Sequence, residues 1–459
     1  MMDALSLLRS GRLAGSRRLD LSCGLTQFPD EIYDLAESLE ILNLSGNALT
    51  SLPDDLPRLH KLRVIFCSDN PFTEVPPVLG QCPNLEMIGF KANRISRLSG
   101  AALPPRLRWL ILTDNRLREL PPELGRCQRL QKLMLAGNRL RHLPDEMAAC
   151  RHLELLRISA NRFTALPEWL LSMPRLAWLA FAGNPLSEDA ETAAASYREI
   201  SRVEWQYLDL QHKLGEGASG VIHRADWRHP SEGAKPVAVK LFKGAVTSDG
   251  LPESEKAACL AAGAHPNLIA ATGKLSGHPE GVAGLVMPLV EANFKNLAGP
   301  PSLESCTRDV YPTDTKFTLN NVISMAKGIA RAAQHLHRQG IMHGDLYAHN
   351  LLWNGQGDCL LGDFGAASFV PDDHRALSLQ RLEVRAFACL LEEWLERSPA
   401  ASESQPVLDA LWELQRRCGQ PEVVARPLFA EIVQALEGVL VSREVRVAES
   451  GSPFALGTF

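Results

Sequence analysis

The segment HKLGEGASGVIHRADW carries Gly215, Gly217 and Gly220 as a GxGxxG turn between two strand-like runs, and VAVK ends a further strand-like run on Lys240. Glycine-rich turns bring backbone N–H groups close to phosphate oxygens, and a lone ammonium on a rigid strand is a suitable point charge for them. The glycine pattern by itself also fits a dinucleotide site. Such a site needs a helix directly after the glycines, whereas VIHRA has the β-branched start of another strand. The order is therefore strand, glycine loop, strand, strand with lysine. Further on, IMHGDLYAHNLLWN sets Asp345 five residues before Asn350, and LGDFGAAS adds Asp363. Carboxylate and amide oxygens are hard donors of the kind magnesium takes. Taken singly, each residue has a bland reading, Lys240 as a surface lysine and Asp345 as a turn or cap residue. Together and in this order, such motifs count heavily against the bland reading.

Over residues 205 to 442 this order resembles the eukaryotic-type protein kinase family. The resemblance implies ATP and Mg2+ as cofactors, with Gly215, Gly217, Gly220, Ile222 and Ala238 around the nucleotide and Lys240 on its phosphates. Glu255, ten residues before His265 of HPNLI, becomes the partner of Lys240, with Glu253 as the alternative. Met287 and Leu289 of LVMPLV become the hinge that takes the adenine. Asp345, Lys240 and Asn350 are implied as catalytic residues, and Asn350 and Asp363 as magnesium ligands. Apolar residues at Val322, Met325, Ile329, Ala333 and Leu336 predict a helix over 318–338, closed by Gly340. LEVRAFACLLEEWL resembles the family's central helix, with Glu383 where Asp is usual. RRCGQPEVVARPLFAEIVQAL resembles the end of the domain in the tyrosine-kinase-like branch, with Arg426 in its usual place.

The chain departs from the family pattern HRDLKxxN twice. Gly344 stands for the arginine, and Tyr347 for the lysine near the transferred phosphoryl group. Only 19 residues separate Asp363 from Glu383, the Ala-Pro-Glu motif is absent, and Ser368 and Ser378 are the only hydroxyl residues between them. These departures predict a kinase not switched on by activation-loop phosphorylation, with regulation coming from the periodic first half of the chain or a ligand bound there. Loss of the lysine predicts slow transfer, His349 being a candidate substitute for its charge. The reading is an ATP-dependent protein kinase, with serine or threonine as acceptor from the branch it resembles. The alternatives are a pseudokinase scaffold and, because HGDLxxxN is also similar to the loop of aminoglycoside and choline kinases, a small-molecule kinase.

The first half must position these groups, and it is periodic. LEILNLSGNALTSLP fits LxxLxLxxNxLxxLP, and asparagines recur at 47, 70, 93, 115, 138, 161 and 184, spaced by 22 or 23 residues. This half resembles the intracellular kind of leucine-rich repeat family. The expected fold is an α/β solenoid, a horseshoe of about eight repeats over residues 1–200, followed by a two-lobed α+β kinase fold over 201–442 and a tail over 443–459. Strand positions facing out of the concave side read Ile41, Val64, Met87, Trp109, Lys132, Leu155 and Trp178, and, two residues later in each repeat, include Phe66, Met134 and Arg157. So apolar a stripe predicts a docking face for a protein substrate or partner.

Composition narrows the setting. The 459 residues carry a net charge of −5 with no long run of one sign, so nucleic acid is not an expected partner. No stretch approaches the roughly 20 apolar residues of a membrane span, and the first residues do not read as a signal peptide. Ten cysteines lie scattered without metal-ligand spacing. A cytoplasmic protein is expected.

Overall fold

The computed structural model describes residues 4–197, 202–217, 219–229, 233–243, 246–399 and 405–450. Each repeat places three residues in a strand: β1 (Arg18–Asp20), β2 (Ile41–Asn43), β3 (Val64–Phe66), β4 (Met87–Gly89), β5 (Trp109–Ile111), β6 (Lys132–Met134), β7 (Leu155–Arg157) and β8 (Trp178–Ala180). They form one parallel sheet in chain order, and each strand lies beside the equivalent residues of its neighbour, as Ile41 beside Val64 and Leu155 beside Trp178. The middle residue of each strand points inward, so Leu42, Ile65, Leu110 and Leu133 are wholly buried. Between strands the convex side carries short 3-10 turns such as Pro77–Gln81, several begun by proline.

The residue before each ladder asparagine has a left-handed backbone, from Gly46 at φ 72° to Gly183 at 69°. Four of these seven are not glycine: Asp69, Ala92, Asp114 and Ala160 stand at 54°, 53°, 56° and 54°. A side chain there costs about 1–2 kcal/mol. The asparagine offsets it by capping the bend. The Asn138 amide donates to the Leu112 and Leu135 carbonyls at 2.8 and 2.9 Å, while its oxygen accepts from the Leu117 N–H at 3.0 Å. One buried side chain thus ties its own turn of the stack to the preceding one.

The chain then forms helix α1 (Ala4–Arg9) at one end of the solenoid and α2 (Glu188–Tyr197) at the other. A second sheet follows: β9 (Arg202–Glu204), β10 (Leu208–Glu216), β11 (Gly220–His229), β12 (Gly233–Phe242), β13 (Gly273–Ser276) and β14 (Gly284–Pro288), ordered β10-β11-β12-β14-β13-β9. Helix α3 (Pro252–Ala262) lies between β12 and β13. The rest is mainly helical: α4 (Leu319–Arg338), α5 (Ala376–Glu396), α6 (Gln405–Cys418) and α7 (Phe429–Ser450). The helix expected at 318–338 is α4, capped by Thr318 accepting from the Asn321 N–H at 3.2 Å, and its predicted apolar residues are all buried. The two halves share their cores. Met342, Val370, Leu379, Leu382 and Val423 pack into the repeat cluster, and Leu155 and Trp178 pack into the cluster around α4.

Replacing Asn138 by alanine leaves the buried Leu117 N–H without a partner, while the Leu112 and Leu135 carbonyls keep the amides of Asn115 and Asn161. It should lower stability by about 1–3 kcal/mol, read as a lower urea midpoint.

Candidate active site

The residues expected around a nucleotide line one face of the second sheet. Ile222 of β11 sits opposite Lys240 of β12, and Ala238, two residues away on the same face, sits opposite Met287 of β14. Leu289 follows directly after β14. The glycine turn closes with the Gly217 N–H donating to the Gly220 carbonyl at 2.9 Å. A Cβ on Gly220 would stand 2.5 Å from the Leu241 carbonyl oxygen, so only glycine fits there; Gly215 and Gly217 face open space.

Lys240 is buried and ion-pairs with Glu255 of α3, not with the alternative Glu253, which pairs with Lys256. Its ammonium also lies 4.0 Å from Asp363. Burial alone would push the Lys240 pKa down; the charges of Glu255 and Asp363 outweigh it and hold the pKa above the usual lysine range. Asp363, at φ 54°, keeps a side chain 53% exposed. Asn350 spends its NH2 on Asp345, at 2.9 Å to the carbonyl and 2.8 Å to Oδ2, which leaves its amide oxygen available. A solvent-facing carboxylate beside a free amide oxygen, under a lysine fixed by a carboxylate, fits Mg2+ and the phosphates of ATP.

The catalytic-loop stretch is anchored from behind. Glu383 of α5, wholly buried, accepts from the Gly344 N–H at 2.7 Å and pairs with His337 at 2.7 Å. Burial would raise the Glu383 pKa, but His337 and the Gly344 N–H hold it below the ordinary carboxylate range. His343 reaches the Gly362 carbonyl at 2.9 Å, tying the loop to the segment that presents Asp363. His349, the candidate substitute cation, is spent elsewhere: its ring and its N–H both bind Asp309.

The repeats cover this site. Arg157 of β7, fully buried, ion-pairs with Asp345 and with Asp249, the latter at 2.7 Å, and donates to the Gly344 carbonyl at 3.0 Å. Trp178 of β8 stacks on Tyr347 with ring centroids 4.2 Å apart and planes 7° from parallel, and its indole N–H donates to the Leu346 carbonyl at 3.1 Å. Both departures from HRDLKxxN belong to this seam. A Cβ on Gly344, at φ 71°, would stand 2.5 Å from the Ala366 carbonyl oxygen and 2.7 Å from that of Leu179 in β8, so arginine is excluded. Tyr347 is the ring that Trp178 needs. Ser368 is buried, accepting from the Phe181 and Ala182 N–H groups at 2.9 and 3.1 Å, and so serves the seam rather than solvent. Arg426 donates to the Gln420, Arg381 and Pro174 carbonyls, the last in the repeats.

The docking face expected along the whole concave stripe is thereby corrected. From the edge of β5 onward it is taken by the chain's own second half: Arg108 donates to the Leu303 and Glu304 carbonyls, and Leu155, Arg157 and Trp178 are buried. Apolar strand positions pack on the domain that follows them because both surfaces lose water at once. The sequence reading placed Arg157 on the concave face but not in the site, and passed over Asp249. The one signal was an arginine among otherwise uncharged residues at its repeat position.

Glu383 contributes stability above the unfolded carboxylate pKa, near 4.5, and loses it as pH falls below that value, because its folded pKa is depressed. Wild type should lose stability more steeply than Glu383→Gln as pH drops from about 5 to 3, while Glu383→Gln should be the less stable of the two at pH 7, measured by thermal melting.

Residues 208–395 match the family model described as protein tyrosine and serine/threonine kinase. Residues 105–163 and 128–186 match one leucine rich repeat model, and residues 38–59 another. The chain is 25% identical over 307 residues to ephrin type-B receptor 4a of Danio rerio, covering 56% of this chain and 30% of the receptor. It is 24% identical over 300 residues to ephrin type-A receptor 5 of Homo sapiens, covering 55% and 27%. The chain thus spans under a third of the length of these two relatives. A solved leucine-rich repeat protein of Leptospira interrogans is 31% identical, covering 40% of this chain and 47% of that one, with a TM-score of 0.37. With repeats and catalytic-loop motifs matched in this order, the chain is a fusion of leucine-rich repeats to a protein tyrosine and serine/threonine kinase domain.

Proposed function

We propose that the chain is an active ATP-dependent protein kinase that uses Mg2+. The observation that carries this is the closed Lys240–Glu255 ion pair with Asp363 beside it, since that pair and the metal-binding aspartate must both be in place for transfer. Asp345 is the residue that orients the acceptor hydroxyl and takes its proton. The acceptor oxygen bonds to the γ-phosphorus as the bond to the β,γ-bridging oxygen breaks, and ADP leaves. Asn350 and Asp363 would hold magnesium, which supplies charge neutralisation for the phosphates. Serine or threonine as acceptor rests on the resemblance of the C-terminal segment to the tyrosine-kinase-like branch. A cytoplasmic setting fits the ten free cysteines, which call for a reducing compartment, and among the described residues no helix is long and apolar enough to cross a membrane.

The repeats hold the segment after Asp363 by contact, through the Phe181 and Ala182 N–H groups on Ser368. Ser254 of α3 donates to Glu191 of α2 at 2.8 Å, and Gly250 lies against Ser159, so the helix carrying Glu255 is seated on the repeat domain. A protein partner is proposed for the part of the concave face before β5, where Ile41, Asn43 and Phe66 remain half-buried. Phe66→Asp should then impair phosphorylation of a docked substrate while leaving transfer to a generic protein unchanged.

A second reading, a pseudokinase scaffold, is favoured by one observation: both Asp345 oxygens already have partners, Arg157 and Asn350. Labelled ATP separates the two. Wild type should phosphorylate itself or a generic protein, with phosphoserine or phosphothreonine in the product, and Asp345→Asn should lose about 10²–10⁴-fold of that rate while still binding Mg-ATP. Mg-ATP at 100 times its Kd should stabilise both by about 2.7 kcal/mol, seen as a higher Tm. Stabilisation without transfer by the wild type would establish the scaffold.

A further inference from the structure

We propose that Arg157, a residue of the repeat domain, belongs to the phosphotransfer site and supplies in cis the positive charge that the catalytic loop itself does not carry. The inference rests on the kinase reading above. Arg157 lies 188 residues before Asp345, yet its guanidinium holds three points of the site at once: the carboxylate of Asp345, that of Asp249, and the carbonyl of Gly344. Three of its five N–H groups are used in these contacts. The titratable and charged groups facing it are Asp345, Asp249 and Tyr347, with Lys132 of the neighbouring strand turned onto the Trp109 ring at 4.2 Å. On the loop, position 347 is a tyrosine stacked away under Trp178, and His349 is held by Asp309. Arg157 is therefore the cation in direct ion-pair contact with Asp345.

Two observations favour a contributing charge over an inhibitory clamp. Lys240 and Glu255 are paired, and Asp363 stands at Lys240, while Arg157 is in place. The seam is also not built as a detachable lid. Its stacked Trp178–Tyr347 rings, the Ser368 hydroxyl that takes two repeat N–H groups, and the buried Arg426 bound to Pro174 would all lose partners on separation. A preorganised arginine in a water-poor site stabilises charge developing on a transferred phosphoryl group, and one supplied from the same chain needs no binding step. As it touches the base rather than a substrate in this structure, Arg157 is assigned as a positioning residue.

The test uses the full chain with Arg157→Gln, which keeps hydrogen bonding but not charge, and Arg157→Lys, which keeps charge but not the fork. Arg157→Gln should lower kcat by about 10²–10³-fold with KM for ATP within threefold, and Arg157→Lys should retain at least tenfold more kcat than Arg157→Gln. Aluminium fluoride should tighten Mg-ADP binding to the wild type by at least tenfold and to Arg157→Gln by less than threefold, measured by calorimetry, because it mimics the transferring group. Unchanged or faster transfer by a folded Arg157→Gln, or equal kcat in the two variants, overturns the inference and leaves the kinase reading standing. If Arg157→Gln does not fold, Arg157→Met, uncharged and of similar length, takes its place: a kcat at least tenfold below that of Arg157→Lys supports the inference, and any smaller difference overturns it. A wild type that transfers nothing above Asp345→Asn, or that binds no Mg-ADP, ends both readings.

Discussion

A guanidinium buried between two carboxylates and a carbonyl governs how this chain is put together. An unpaired arginine in the interior would be prohibitively unfavourable, and removing one partner of a buried pair is strongly destabilising. Arg157 can therefore be buried only if β7 meets Asp345, Asp249 and the Gly344 carbonyl together. That requirement fixes the register of the solenoid against the catalytic loop. It also explains why the loop has no side chain at 344 and a flat aromatic ring at 347: the backbone of β8 passes where a Cβ would be, and Trp178 lies on the ring.

Such a fit needs a rigid solenoid, and the asparagine ladder provides one. Each ladder asparagine secures a left-handed bend and reaches the preceding turn, so the strands keep one spacing from end to end. Leucines facing inward bury what no single turn could bury alone. A side chain at the end of a stiff strand is held by its neighbours on both sides, which is what positioning charges to within a fraction of an ångström demands. The left-handed bends at Gly137 and Gly183 lie against Val246 and Leu251, so the same ladder that stiffens the repeats sets the approach to α3 and hence to Glu255.

The short segment after Asp363 takes its meaning from this arrangement. Ser368 receives two N–H groups from the residues just after β8, and Arg426 spends its donors on three carbonyls, one of them across the seam. What looks in sequence like erosion of a kinase is in space a set of substitutions matched to a covering surface.

The repeats and the motif order were legible in the sequence because both are local or strictly periodic. A 23-residue period forces stacked strands, and the spacing of glycines, Lys240, Asp345, Asn350 and Asp363 carries its chemistry in residue type and order. The pairing of Lys240 with Glu255 rather than Glu253 was legible too, from its distance to HPNLI. What the sequence could not state is which surface the apolar stripe would meet. Exposed aromatics are equally satisfied by another protein or by the next domain, since burial has no direction. Only the tertiary structure decided that β7 and β8 face the catalytic loop, because contacts between residues 157 and 345 or 178 and 347 leave no periodicity in the intervening chain.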